Sequence, residues 1–302
     1  MKILFISLGC DKNLADSEEM LGLLTGNGHE IVDSEEEADA IVINTCCFIH
    51  DAKEESVNTI LEMAEYKKTG TCKILIVTGC MAQRYKEEIT EEIPEVDAVL
   101  GTTSYGDIVK ALNEAEAGHV FQEFKDINAL PEDSGRRVIT TGGHFGYLKI
   151  AEGCDKHCTY CIIPSLRGKF RSVPEERLLK QAEYMASQGV RELILVAQET
   201  TVYGTDLYGK KTLHILLKKL CQIKGIRWIR VLYCYPEEIY DELIQVMKEE
   251  KKICHYLDLP IQHASDRILK RMGRRTTRKQ LEDIIAKLRR EIPDIVLRTS
   301  LI

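Results

Sequence analysis

The chain has 302 residues, more than one core of ordinary size usually organises, and its formal net charge of −7 gives no general affinity for nucleic acid. No segment approaches the roughly twenty apolar residues needed to span a bilayer, and the apolar start at residues 1–9 meets Asp16, Glu18 and Glu19 without a small-residue cleavage site. The eleven cysteines therefore belong to a reducing, cytoplasmic setting, where metal or catalytic use outranks disulfides.

The first third alternates between two patterns. Apolar, β-branched runs fall at residues 3–8, 40–45 and 74–78, with a weaker one at 96–100, and amphipathic stretches of helical spacing fall at 13–25, 51–66 and 83–91. Continuously apolar strands separated by helices predict a parallel sheet covered on both faces, so residues 1–118 read as a doubly wound α/β domain. Cys10, Cys46 and Cys80 each follow a predicted strand and precede a predicted helix. The carboxyl ends of such strands share one edge, where ligands bind, and helix N-termini there favour thiolates. The spacing thus predicts a three-cysteine metal site assembled across the sheet. Cys47, Cys72, Cys221, Cys234 and Cys254 lack this placement and read as small apolar residues, although Cys47 adjoins Cys46 and could compete for the same metal.

Residues 119–145, with Pro131, Gly135, Arg136, Arg137, Gly142 and Gly143, read as a linker. Beyond it, strands are expected at 146–151, 193–197, 228–232, 256–260 and 295–301, with long charged helices such as 175–188 and 239–250 between them. Regular β-then-α repetition over 146–302 predicts a barrel or partial (β/α) barrel whose loops after the strands form the active face. Just after the first of these strands stand Cys154, Cys158 and Cys161 on one short loop. Three thiolates can hold a cubane iron–sulfur cluster by three of its irons and leave the fourth open. A zinc site would want paired ligands, and only His157 or a distant residue could serve as a fourth. Arg267, Lys270, Arg271, Arg274, Arg275 and Arg278 form a basic run without an acid, read as a solvated helix face or, alternatively, as a docking surface for nucleic acid or a ribonucleoprotein.

Gly153-Cys154-Asp155-Lys156-His157-Cys158-Thr159-Tyr160-Cys161 resembles the signature of radical S-adenosylmethionine enzymes. The segments Ser7-Leu8-Gly9-Cys10-Asp11-Lys12-Asn13-Leu14, Asn44-Thr45-Cys46-Cys47-Phe48-Ile49, Gly79-Cys80-Met81-Ala82-Gln83-Arg84-Tyr85 and the run from Ile163 to Ser172 narrow the match to methylthiotransferases. Together they are similar to the RimO branch, which modifies an aspartate of a small-subunit ribosomal protein. The resemblance implies an N-terminal doubly wound domain followed by a partial radical-SAM barrel, with two 4Fe–4S clusters and S-adenosyl-L-methionine as cofactors. Cys154, Cys158 and Cys161 would hold the cluster that binds S-adenosyl-L-methionine, and Cys10, Cys46 and Cys80 a second cluster carrying a sulfide to be methylated. An electron-donating reductase would start a radical that takes hydrogen from the aspartate β-carbon, so the clusters and not a protein base carry the catalysis. Contact with ribosomal RNA is a further partner the resemblance allows. The family normally continues into more barrel and a small TRAM-type domain, so the chain is expected to lack both and to leave a sheet edge exposed.

Tyr160 is expected to pack on the adenine or in plain core. Gln198 and Gln262 stand at barrel strand ends, where polar groups face a ligand, and Arg298 could clamp the S-adenosyl-L-methionine carboxylate. Arg167, Lys169 and Arg171 read as a solvated turn or as steering groups for an acidic substrate loop. Two rivals share features with this reading. A methylthiotransferase acting on transfer RNA adenosine has the same clusters, but its surroundings differ at Ser7-Leu8-Gly9 and Phe48-Ile49. A non-enzymatic iron–sulfur carrier explains six cysteines but not a barrel.

Overall fold

In the computed structural model, which describes residues 1–132 and 135–302, the chain divides into two units, Met1–Val138 with Ser165–Arg167, and Ile139–Pro164 with Gly168–Ile302. The first unit runs β1 (Lys2–Ser7), α1 (Asp11–Gly26), β2 (Glu30–Val32), β3 (Ala40–Thr45), α2 (His50–Thr69), β4 (Ile74–Gly79), α3 (Cys80–Arg84), α4 (Lys86–Glu92), β5 (Ala98–Leu100), α5 (Ile108–Glu116) and β6 (Phe121–Glu123). Every residue of β3 and β4 is buried, as expected of strands covered on both faces. The strands pair in the order β2-β1-β3-β4-β5-β6, all parallel. Ile3, Val42, Ile76 and Leu100 meet Met20 and Leu24 of α1 and Ile108 and Leu112 of α5 in one core. Because β2 is added on one side of β1 and β3 on the other, the winding reverses between β1 and β3, the position where such sheets bind ligands.

Three features depart from the sequence reading. The expected helix at 83–91 breaks at Tyr85, whose φ of −124° and ψ of 37° are not helical, giving the short α3 and α4. The edge strands β2 and β6 are each three residues long and mix Glu or Gln with apolar residues, so no run marks them. The third concerns the linker: Phe121–Glu123 pairs in register with β5, and Arg137 is buried with its Nε 2.8 Å from the Glu18 carboxylate of α1. That charge pair ties the segment to the first unit beyond residue 118.

The second unit runs β7 (Phe145–Lys149), β8 (Ala151–Glu152), α6 (Ile163–Arg167, whose last three residues count with the first unit), β9 (Arg171–Ser172), α7 (Glu175–Ser187), β10 (Glu192–Val196), α8 (Thr205–Tyr208), α9 (Leu213–Cys221), β11 (Trp228–Val231), α10 (Asp241–Glu249), β12 (Ile253–Asp258), α11 (Asp266–Arg271), α12 (Arg278–Glu291) and β13 (Val296–Arg298). Its five-stranded sheet is parallel with order β13-β12-β11-β10-β7, each strand added on the same side of the one before. Steady addition in one direction is the winding of a barrel, here partial. Leu193, Leu195, Ile229, Val231 and Leu257 are fully or nearly fully buried, as are Leu216, Leu217, Leu243 and Met247 of the covering helices. A Thr277–Gln280 capping box starts α12. No helix among the described residues is long and apolar enough to cross a membrane.

Two candidate three-thiol centres

In the first unit, β1, β3 and β4 are neighbours, and each is followed at its carboxyl end by one of the expected cysteines. Cys10 precedes α1, Cys46 follows β3 directly, and Cys80 opens α3. Gly9, at φ +91°, lets the first loop come against the second: a Cβ there would stand 2.7 Å from the Cys46 Cβ and 3.0 Å from its sulfur. The Asn13 amide then ties the loops together, donating to Leu8 O at 3.1 Å and Thr45 O at 3.0 Å. Cys46 and Cys80 are buried and Cys10 is exposed. All three thiols lie within mutual electrostatic range, Cys10 acting on both others and Cys46 on Cys80.

Burial pushes the Cys46 thiol up and the Cys80 thiol up to about 12, and at both the Arg167 guanidinium pulls the other way. Arg167 is 2 % exposed, so the solvated turn expected of it is not found, whereas Lys169 is exposed. Its Nη1 donates to Asp16 Oδ2 at 2.8 Å and its Nη2 to Asn13 Oδ1 at 2.6 Å, the same oxygen that faces the Cys80 sulfur at 3.8 Å. Cys47 turns elsewhere, donating to the Cys80 carbonyl at 3.3 Å.

In the second unit, the loop cysteines are drawn together by turns. Gly153 holds φ +73°, and a Cβ there would meet the carbonyl oxygens of Lys169 at 2.1 Å and Gly168 at 2.5 Å. Cys154 N donates to Gly168 O, Lys156 N to the Cys154 sulfur at 3.4 Å, and Cys161 N to Cys158 O at 3.0 Å. Cys154 and Cys158 are buried and Cys161 is half-buried, each within electrostatic range of the others. Burial pushes Cys154 up to about 12, and the Lys156 N–H opposes it.

Around this loop the structure gathers residues that the sequence did not single out. The Tyr235 hydroxyl lies 3.7 Å from the Cys158 sulfur, with Lys156 Nζ 5.2 Å and Arg274 Cζ 4.1 Å from the Tyr235 ring centre. Arg274 is buried, although Arg267, Lys270, Arg271, Arg275 and Arg278 of the same basic run are exposed. Glu199 is also buried. Its Oε1 accepts from Thr201 N at 3.0 Å and Tyr235 N at 3.4 Å, and burial pushes its carboxyl up to about 7. Its place beside Gln198, one step past a predicted strand end, was the available signal.

The other expected residues fare differently. Gln198 follows β10 with its Oε1 buried and without a hydrogen-bond partner among the described residues. Tyr160 is 41 % exposed, which removes the plain-core reading, and it interacts with Cys158 and Arg274. Gln262 takes φ +68°, and its backbone bridges to Leu301. Arg298 is already engaged by Asp258, Nη1 to Oδ1 at 2.9 Å, so it is not a free clamp.

Among the described residues no three His, Cys, Asp or Glu side chains converge on one ion position. Thiolates of a cubane sit on separate irons and have no need to converge. Three thiols per site, glycine-lined loops, and the unpartnered buried atoms Gln198 Oε1, Glu199 Oε2, Arg274 Nε and Arg274 Nη1 fit a sulfur-ligated cluster with a polar ligand at the loop site.

Residues 2–101 match the family described as Uncharacterized protein family UPF0004, and residues 148–302 match the Radical SAM superfamily. A protein of Lachnoclostridium phytofermentans named Ribosomal protein uS12 methylthiotransferase RimO is 68 % identical over 302 residues, covering 100 % of this chain and 69 % of the relative. Proteins of the same name from Clostridium botulinum (strain Eklund 17B / Type B) and Clostridioides difficile (strain 630) are 53 % and 52 % identical, each with 68 % of its length covered. In fold, the chain resembles the cobalamin-dependent S-adenosylmethionine radical enzyme OxsB (TM-score 0.65, 16 % identity, 100 % of this chain and 49 % of that one). It also resembles the radical S-adenosylmethionine methyltransferase TsrM from Kitasatospora setae (TM-score 0.66, 12 % identity, 99 % and 69 %). The α/β architecture is thus shared with solved radical enzymes. The chain belongs to the RimO family of methylthiotransferases, enzymes of the radical S-adenosylmethionine superfamily.

Proposed function

We propose that this chain adds a methylthio group to the β-carbon of an aspartate in ribosomal protein uS12, in the cytoplasm, with an electron from a reductase. The observation that carries the reading is the pair of three-thiol sets, one on a single loop and one at three adjacent strand ends, in a chain 68 % identical to a protein of that name. Cys154, Cys158 and Cys161 would hold the 4Fe–4S cluster that takes S-adenosyl-L-methionine, and Cys10, Cys46 and Cys80 a second 4Fe–4S cluster. Bound there, these cofactors supply a one-electron cleavage that yields a carbon radical and a sulfur atom that becomes the methylthio group.

The protein's own residues bind and shield. Burial of Cys46, Cys80, Cys154 and Cys158 limits water at those four sulfurs, and Arg167 offsets thiolate charge at the first site. Gln198 Oε1 and Glu199 Oε2 offer unpartnered acceptors to the amino group of S-adenosyl-L-methionine. Tyr160, half open beside Cys158, suits the adenine, and Gln262, in the loop after β12, suits a remaining polar group. The exposed basic residues around Arg267 and Arg275 suit contact with ribosomal RNA.

The test is anaerobic loading of the chain with iron and sulfide, reaction with S-adenosyl-L-methionine, ribosomal protein and transfer RNA, and mass spectrometry of both macromolecules. A methylthio adduct on an aspartyl peptide supports the reading. An adduct confined to RNA adenosine overturns it in favour of the transfer RNA branch.

A further inference from the structure

Arg274 is a buried cation that the protein leaves incompletely paired. It is 6 % exposed, Nη2 donates to Pro260 O at 3.0 Å, and the guanidinium stacks on Tyr235 at 4.1 Å. Cys158 is close enough to act on its side chain, yet Nε–H and Nη1–H have no partner at ordinary hydrogen-bond geometry among the described residues. Buried donors are rarely left so, and an unsatisfied charged one is expensive. The groups facing it are Cys158, Tyr160 and Tyr235, with Glu237 beyond. Three thiolates outweigh the charge of a cubane core, so the loaded loop is net negative, and an added electron deepens that charge.

We infer that Arg274 is a positioning residue of the loop centre, donating through Nε and Nη1 to sulfur at Cys158 and easing one-electron reduction of the cluster there. The Tyr235 hydroxyl, 3.7 Å from the same sulfur, is the second donor. A charge-assisted hydrogen bond strengthens as its acceptor gains negative charge, so both groups favour the reduced state over the oxidised one. The electron comes from the external reductant and resides on the cluster, and no bond of the protein changes. The inference rests on the reading that Cys154, Cys158 and Cys161 hold a cluster.

The experiment uses the whole chain with Cys10, Cys46 and Cys80 replaced by alanine, loaded with iron and sulfide, and titrated with a low-potential chemical reductant while the reduced-cluster signal is followed by electron paramagnetic resonance. In Arg274→Gln the iron content holds, and the reduced-to-oxidised ratio at fixed potential falls about tenfold, equivalent to about 59 mV for one electron. Tyr235→Phe and Arg274→Lys shift the same way by less. Where the glutamine chain does not fold, Arg274→Lys decides, because it keeps the charge but loses the stacked plane and its donor directions. An unshifted potential with full iron in the deciding variant overturns the role of Arg274, and a parent that binds no iron overturns the underlying reading instead.

Discussion

The two thiol sets are held by opposite means. Cys154, Cys158 and Cys161 lie within eight consecutive residues, and local turns suffice to gather them. Cys10, Cys46 and Cys80 come together only because β1, β3 and β4 are laid side by side. Each set also has a buried guanidinium beside it, and these differ in a telling way. Arg167 is matched within the protein by Asp16 and Asn13, and it also acts on Cys46 and Cys80. Arg274 keeps two donors open. A fully paired cation maintains architecture, and an incompletely paired one anticipates a ligand.

The largest test of this contrast separates the sets by chemistry. Cys158→Ala abolishes formation of 5′-deoxyadenosine and removes about four of roughly eight irons, taking about four per cubane. Cys80→Ala removes a similar share of iron but leaves 5′-deoxyadenosine formation intact and abolishes only the methylthio product. Iron analysis with product chromatography reads both, and equal loss of 5′-deoxyadenosine in the two variants breaks the division of labour.

Next in size is Arg167→Ala, which strips a buried carboxylate at Asp16 of its guanidinium and lowers unfolding free energy by about 3–5 kcal/mol. Urea unfolding of the metal-free chain measures it, and a change below about 1 kcal/mol contradicts a settled charge pair. Smaller effects come from Gly9→Ala and Gly153→Ala, each about 1–2 kcal/mol from the left-handed backbone alone. Steric cost adds to this, and Gly153→Ala is the worse because its neighbours are backbone carbonyls and not a cysteine side chain.

The smallest effect is a pH slope. Burial raises the Glu199 carboxyl from the ordinary 4.5 to about 7, so the folded metal-free chain holds that proton more tightly than the unfolded one. The resulting stability is complete below about pH 4.5 and is lost as pH rises through 7. Glu199→Gln flattens the dependence across that window, and an unchanged slope in urea titrations at pH 5 and pH 8 counts against it.

What the sequence revealed follows the reach of each signal. The loop cysteines are a local pattern, and the strand-end cysteines need only a correct count of strands, so both sets were legible. β3 matched its apolar run because both faces are covered, whereas β2 and β6, short and half polar, left no period to read. Arg137, Arg167 and Arg274 were illegible because a buried arginine looks like any other until its partner from a distant segment is known. Glu18 is 119 positions from Arg137, and Asp16 is 151 from Arg167.

Ser165–Arg167 belongs to the first unit although it is encoded after the loop cysteines. On the ribosome, where the N-terminal part of a chain ordinarily folds first, Met1–Val138 emerges without the cation that neutralises Asp16 and braces Asn13 beneath Cys80. The strand-end set therefore reaches its final form only after Cys154, Cys158 and Cys161 have been synthesised. A fragment ending at Val138 would be born with its charge network unfinished.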